Sequence, residues 1–285
     1  MLDFVPPRPR LAGRADQLAD RAVNALVAEA LLTPKPALVD QRGCGAHHDL
    51  DLPCLLRSAV TLRESFRSMA LAAAVAASDV QLRETLGAIG RQAERHMLAA
   101  TGGSNAHRGA IWVLGLLVAA LALSRPRAAA SEVAAIAAAL ANLPDRHAPR
   151  APSNGSRACR RFGVRGARGE ACAGFPHVLD LGLPVLQRVR ARGAEETCAR
   201  LDALMAIMSS LDDTCLLHRG GWPAVSAARC GARRVLALGG TSTQPGRQAL
   251  LALDAELVRR HASPGGCADL LAASLLLDDV QCQPV

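Results

Sequence analysis

The residues most able to do chemistry cluster at glycine turns and not along helix faces, and loops held by rigid elements are where sites usually form. Residues 43–51 read GCGAHHDLD, placing His47, His48, Asp49 and Asp51 within five positions. Imidazole and carboxylate can hold a divalent ion; the competing reading is a helix-capping Asp beside exposed histidines. Thr101-Gly102-Gly103-Ser104-Asn105 is followed by His107-Arg108-Gly109. Such glycines let backbone N–H groups approach an anion, a following helix start adds its positive end, and Arg108 adds charge. A plain glycine break between helices fits as well, and the P-loop pattern is absent. Arg165 and Arg168 lie three apart, before Glu170 and Gly174-Phe175-Pro176. They face one ligand if helical, or form a solvated basic turn.

Asp212 and Asp213 fall in a stretch of Leu, Met and Ala that predicts one helix over 194–217. Neighbouring side chains on a helix point about 100° apart, so at least one carboxylate faces inward. A buried carboxylate needs a metal or an Arg; alternatively Asp213 pairs with Arg219 and Asp212 is exposed. Ser263 with Gly265-Gly266 is either a phosphate-facing helix start or an ordinary cap.

These groups need scaffolding, and the chain is rich in helix-forming residues. Of 285 residues half are hydrophobic and only 2% aromatic, with no Tyr. Abundant Ala and Leu argue against an all-β fold, and few aromatics argue against a stacking platform for single-stranded nucleic acid. The net charge of +8 comes almost wholly from Arg, Lys35 being the only lysine. It suggests an anionic partner: nucleic acid, a membrane surface or phosphorylated metabolites. The nine cysteines form no C-x-x-C pair, so reduced thiols in a cytoplasmic protein are expected. The opening MLDFVPPRPR lacks the apolar segment of a signal peptide. The longest apolar run, 110–123, is shorter than the roughly 20 residues that span a bilayer.

Apolar spacing predicts helices throughout. Leu18, Ala22, Leu26 and Ala30 mark the first, stopped by Pro34-Lys35-Pro36. A second runs from Pro53 to about Ala77. A third starts near Asp79 as cap, with Leu82, Leu86, Ile89, Ala93 and Met97 inward. The run at 110–123 is a helix buried on most sides. Ser131 caps another to Asn142. Gly220-Gly221 and Pro223 end the helix over 194–217, further helices cover 224–237 and 246–261, and a last one runs to Leu277. The prediction is an all-α, single globular domain over 1–285, with glycine-rich turns forming the site and 143–162 a flexible surface loop.

Taken together, PKPALVD (34–40) with GAHHDLD (45–51), TGGSNAHRGAIW (101–112), GARGEACAGFP (166–176), DDTCLLHRGG (212–221) and SPGGCADLLAASLLL (263–277) resemble, in order, the triphosphoribosyl-dephospho-CoA synthases, and among them the form associated with malonate decarboxylase. The resemblance covers about residues 20–278. Ala37 stands where the family has Gly, Ala106 where it commonly has Thr, and Cys215 where it has Asn.

The resemblance implies an all-helical enzyme joining ATP to 3′-dephospho-CoA with release of adenine. The product would be the prosthetic-group precursor for an acyl carrier subunit, attached by a separate transferase. The 2′-hydroxyl of dephospho-CoA would attack C1′ of the ATP ribose through an oxocarbenium-like state, by analogy with glycoside chemistry. Such a reaction needs a proton acceptor, help for the leaving adenine and negative charge near C1′. Asp49, Glu170 and His107 are the candidates for acid–base work. Lys35, Gly102, Gly103, Asn105, Arg108, Arg165, Arg168, Arg219, Ser263, Gly265 and Gly266 are candidates for ATP and phosphate binding. Asp49, Asp51, Asp212 and Asp213 are candidates for Mg²⁺, an ion suited to carboxylates and phosphates together. His47 and Asp40 are further site candidates. Neither a nucleic-acid nor a membrane partner is expected. The competing readings are an all-α, metal-dependent hydrolase of nucleotides or ADP-ribose and a non-catalytic basic module.

Overall fold

Two helices are apolar around their whole circumference, a pattern that only burial accommodates: α5 (Arg108–Leu123) and α13 (Gly265–Cys282). They pack on each other at the centre of a computed structural model describing residues 9–149 and 151–282. Around α5 lie α1 (Pro9–Leu31), α3 (Arg63–Val75), α4 (Asp79–Ala100) and α6 (Ala130–Asn142). Around α13 lie α1, α10 (Glu196–Met208) and a π-helical turn at His177–Gly182. The outer elements are α2 (Leu52–Thr61), α7 (Asn154–Phe162), α8 (Gly166–Cys172), α9 (Leu183–Ala191), α11 (Thr214–Ala237) and α12 (Gln244–Arg259). The architecture is all-α; among the described residues the only β-type pairing is an isolated bridge between Asp40 and Gly43.

Sequence periodicity located most helices but misjudged several ends. The helix expected over 53–77 breaks at Leu62 into α2 and α3; both pack on α1 and α4, and α3 also packs on α5. Ser78, not Asp79, caps α4, its side chain accepting the Gln81 amide; Ile89 on that helix is only half-buried. Ser131 lies inside α6, whose start has no side-chain cap. The segment 143–162 is not a loop throughout: Ser153 caps α7 by accepting the Ser156 amide, and Gly163 ends it at φ 69°.

The largest correction falls at 209–213. The helix expected to reach Leu217 ends at Met208, and Asp213 begins the next one, α11. Ser and Asp side chains compete for nearby backbone groups and favour helix ends over interiors. The expected stop at Gly220-Gly221 is present: Gly221, at φ 61° and ψ −161°, is non-helical, so α11 is two helical segments joined at a kink just before Pro223.

Candidate active site

A helix start in a protein interior leaves amide groups that need acceptors. The central helices α5 and α13 both begin inside the molecule, and aspartates meet them there. Asp213, 1% exposed, accepts the amides of Cys215 (2.7 Å) and Leu216 (3.3 Å) in α11 and of Cys267 (2.9 Å) in α13. A Cβ at Gly266 would press on this carboxylate at 3.1 Å, so a glycine is needed for the close approach. Asp269, one turn into α13, lies against the amide of Ala110 in the first turn of α5. A Cβ at Gly109 would collide with it. Two carboxylates thus tie together the N-terminal ends of α5, α11 and α13, where helix dipoles favour negative charge.

Among the described residues no cation is paired with either carboxylate. Burial pushes the Asp213 carboxyl above the usual aspartate range even though amides bond to it. Burial raises Asp269 further, and the charges of Asp213 and Glu29 add to it. The alternative pairing of Asp213 with Arg219 is not formed, because backbone amides hold this carboxylate. Asp212 is half-exposed and bonds Arg229 (2.6 Å), not Arg219. Asp269 was missed by sequence reasoning. The signal was there, a lone carboxylate in the apolar run that opens with SPGG.

His107 stands at the start of α5 and is 4% exposed. Its Nδ1 lies 2.7 Å from Ser58 Oγ on α2, and its Nε2 is buried without a partner. Burial, together with the charge of Lys35, pushes its pKa down to about 4, so the ring is neutral at physiological pH. Before it, Gly102 (φ 65°) and Gly103 (φ 99°) are exposed, with open space where side chains would stand. Asn105 Oδ1 accepts the Arg108 amide (3.1 Å), while Arg108 Nε bonds Glu94 (3.0 Å). Arg108 is therefore tied to a carboxylate and does not point freely at the glycine turn.

The segment at 34–40 is organised by Asp40. It is buried and accepts the amides of Lys35 and Arg42 (both 2.8 Å) and the Thr33 hydroxyl (3.1 Å). Burial alone would raise its carboxyl, but the Arg42 side chain and these amides hold it below the usual range. Arg42 also bonds Asp254 of α12 (2.7 Å), which accepts the Ala37 amide (2.8 Å). Asp40 is thus an organiser of this loop. Lys35 is 1% exposed, with its ammonium on Glu29 Oε1 (2.6 Å) and the Glu29 carbonyl (2.7 Å). The expected phosphate grip is corrected to a buried ion pair.

Of the next segment, Asp51 caps α2 by accepting the Cys54 amide (2.7 Å). Asp49 is exposed beside His47 (3.6 Å), and Arg219 donates to His47 Nδ1 (3.2 Å). Burial, then the Arg219 charge, lowers the His47 pKa. His48 faces His261, ring centres 5.7 Å apart. Glu170 is buried, accepting the His177 amide (2.9 Å) and facing its Nδ1 (2.8 Å). Arg165 and Arg168 are exposed at the start of α8. Trp112 of α5 donates to the Ala167 carbonyl of that helix (3.3 Å), with Arg83 stacked over its ring at 5.0 Å. Ser263, just before α13, is buried with its hydroxyl unpartnered, and Gly265 sits against Cys215.

The four carboxylates taken as Mg²⁺ candidates each have a separate partner. Asp51 caps α2, Asp212 bonds Arg229, Asp49 stands by His47, and Asp213 is held by amides. Among the described residues no three His, Cys, Asp or Glu converge as a metal cage. Magnesium ordinarily takes only one or two protein carboxylates, with phosphates and waters completing its shell. Asp213 and Asp269 fit that smaller share, since a cation would relieve the mutual repulsion of the two carboxylates.

Contacts link every motif segment. Ala46 donates its amide to Ala37 (2.9 Å), Arg219 reaches His47, Asp213 accepts from Cys267, Asp269 meets Ala110, and Trp112 reaches Ala167. Surface charge is mostly Arg, and Arg suits phosphate through its planar fork. Carboxylates thus meet the starts of α5, α11 and α13, and the guanidinium groups of Arg165, Arg168 and Arg219 lie on the motif segments.

Comparison with known proteins names the class. The family model for ATP:dephospho-CoA triphosphoribosyl transferase matches residues 15–284. The chain belongs to this family and is an enzyme of its kind. It is 56% identical over 276 residues to a probable 2-(5″-triphosphoribosyl)-3′-dephosphocoenzyme-A synthase of Pseudomonas fluorescens, covering 96% of this chain and 94% of that one. It is 53% identical over 267 residues to the 2-(5″-triphosphoribosyl)-3′-dephosphocoenzyme-A synthase of Klebsiella pneumoniae, covering 94% and 95%. No solved structure matches.

Proposed function

We propose that this enzyme transfers the triphosphoribosyl group of ATP to the 2′-hydroxyl of 3′-dephospho-CoA, releasing adenine, and that its product serves the acyl carrier protein of a malonate decarboxylase through a separate transferase. One observation carries the reading: motif segments spread from residue 34 to residue 277 are each linked to another by a contact, two of these contacts lying at the starts of α5, α11 and α13. Family membership supplies the reaction, and the residues supply its parts. The nine unpaired thiols fit a reducing, cytoplasmic compartment. No helix among the described residues is long and apolar enough to cross a membrane.

The guanidinium groups of Arg165, Arg168 and Arg219 would hold the triphosphate. Gly102 and Gly103 leave backbone room for it. Arg108 would contribute from its pair with Glu94. Asp213 and Asp269 would put negative charge where C1′ becomes cationic, and they are the carboxylates for a Mg²⁺ carried with the triphosphate, which would neutralise phosphate charge. Of the acid–base candidates, Glu170 is engaged by His177 and His107 is neutral and deeply buried. Asp49 keeps an exposed carboxylate and is our choice to take the proton of the attacking hydroxyl.

Incubation with ATP, Mg²⁺ and 3′-dephospho-CoA, followed by mass spectrometry, tests the reaction. The expected result is equal release of adenine and of triphosphoribosyl-dephospho-CoA. Adenine released without dephospho-CoA would identify a hydrolase instead. Supplying the product, with its transferase, to the apo carrier protein of malonate decarboxylase tests the destination.

A further inference from the structure

Ser58 lies outside every motif segment, on α2, with no exposed surface. Its hydroxyl has one hydrogen-bond partner, His107 Nδ1 at 2.7 Å. A helical serine commonly donates to the carbonyl one turn back, but here that outlet is not used. If Nδ1 carried the ring proton and donated to Ser58 Oγ, the hydroxyl hydrogen would be buried with no acceptor, a costly arrangement. The satisfied arrangement has Ser58 O–H donating to the lone pair of Nδ1. A neutral imidazole then carries its proton on Nε2. The ring stays neutral because it is buried near Lys35, the charge acting on it. That Nε2 is the buried atom without a partner.

We infer that Ser58 is a positioning residue that locks His107 as an Nε2–H donor, aimed at a lone pair of the bound substrate. The acceptor is either a purine ring nitrogen of the departing adenine or an oxygen of the triphosphate. His107 is then a donor and not the base of the reaction. The inference rests on the reading of this site as the triphosphoribosyl-transfer site, but its first test does not depend on turnover.

With ¹⁵N-histidine-labelled enzyme, the His107 resonances are identified by their loss in His107→Gln. A pyrrole-type signal at Nε2 and a pyridine-type signal at Nδ1, unchanged down to about pH 5, is the expected pattern. Ser58→Ala should erase the preference. A pyrrole-type Nδ1 in the parent enzyme overturns the inference. In turnover, Gln can place an amide donor near the Nε2 position and Asn cannot. His107→Gln should stay within about tenfold of the parent kcat, and His107→Asn should fall by about a hundredfold or more. Equal losses overturn the donor role. The acceptor is separated by two probes. A weaker Ki for inorganic triphosphate in His107→Asn points to a phosphate oxygen. An unchanged Ki, with the loss reproduced by deaza-ATP analogues in the parent, points to the purine; failure of both overturns the inference. If the parent forms no product at all, the functional reading fails while the tautomer is still read from the spectrum.

Discussion

Two partly buried aspartates, Asp145 and Asp269, show opposite ways of holding a carboxylate in this molecule. Asp145 leaves the 143–153 segment and inserts against α4 at Gly87, where a Cβ would collide with it. Arg91 bonds it at 2.7 Å and Arg83 lies at 3.7 Å, one helical turn to either side of the glycine. Burial works against its ionisation, yet the Arg91 hydrogen bond, the His147 amide and both guanidinium charges hold its carboxyl below the usual range. Asp269 meets no guanidinium among the described residues. It faces a helix start and a second carboxylate, and burial with the charge of Asp213 drives its carboxyl well up. A carboxylate matched by cations of its own chain is a fastener. One left with unmatched charge at a helix start is poised for a cation or a reacting centre brought by a ligand.

The largest contrast is expected from Asp269→Asn. Its kcat should fall by about a hundredfold or more, the usual scale for a lost electrostatic contributor in a closed site. The ligand-free protein should nevertheless melt at a higher temperature at pH 8. A raised carboxyl contributes stability that is present below the ordinary value of about 3.9 and is lost as pH rises through its folded value. The stabilisation by the variant should therefore shrink as pH is lowered towards 4. Calorimetry across pH checks it, and a variant that melts earlier at pH 8 would put Asp269 among the fasteners.

Asp145→Ala should do the reverse. Removing one partner from a buried ion pair leaves uncompensated charge and should cost about 3 kcal/mol. Activity per folded molecule should be unchanged. Because Asp145 is held low, its contribution is present above about pH 3.9 and is lost as pH falls through its lowered value. Urea titrations at pH 7 and pH 3 should therefore show the gap between variant and parent closing in acid.

Arg108→Ala should have a smaller effect. Half-exposed pairs such as Arg108–Glu94 contribute under about 1 kcal/mol, so the melting temperature and circular dichroism should barely move. The KM for ATP should rise by about tenfold if its charge also reaches phosphate. An unchanged KM would leave Arg108 purely a tie to α4. The smallest change is expected for Cys215→Ser. Burial and the neighbouring Asp213 and Asp269 keep that thiol protonated, and the displacement needs no thiol nucleophile. Its kcat should stay within about twofold of the parent; a dead but folded variant would reverse this.

Much of the scaffold was legible in the sequence, because local forces decide it. Apolar spacing at 3.6 residues marks α1 and α4, and the continuous apolar runs of α5 and α13 could only be core. A helix-capping Asp in 49–51 was the competing reading beside the metal one, and the structure gives the cap to Asp51. The motif segments named the family, since their order along the chain is itself sequence information.

Partners were decided by packing, and no local pattern carries them. That Lys35 turns inward to Glu29 depends on α1 lying beneath the 34–40 segment. That Asp213 is met by amides depends on α13 arriving end-on at α11, and that Arg229 takes Asp212 depends on how α11 folds back past the 209–213 turn. Asp269 and Ser58 gain their meaning only where α5 begins against α13 and α2. Residue types determined which groups could ionise or bond. The tertiary structure decided which would be neutralised and which left waiting, because the charge state of a buried group is set by the atoms brought to within a few ångströms of it, mostly from distant parts of the chain.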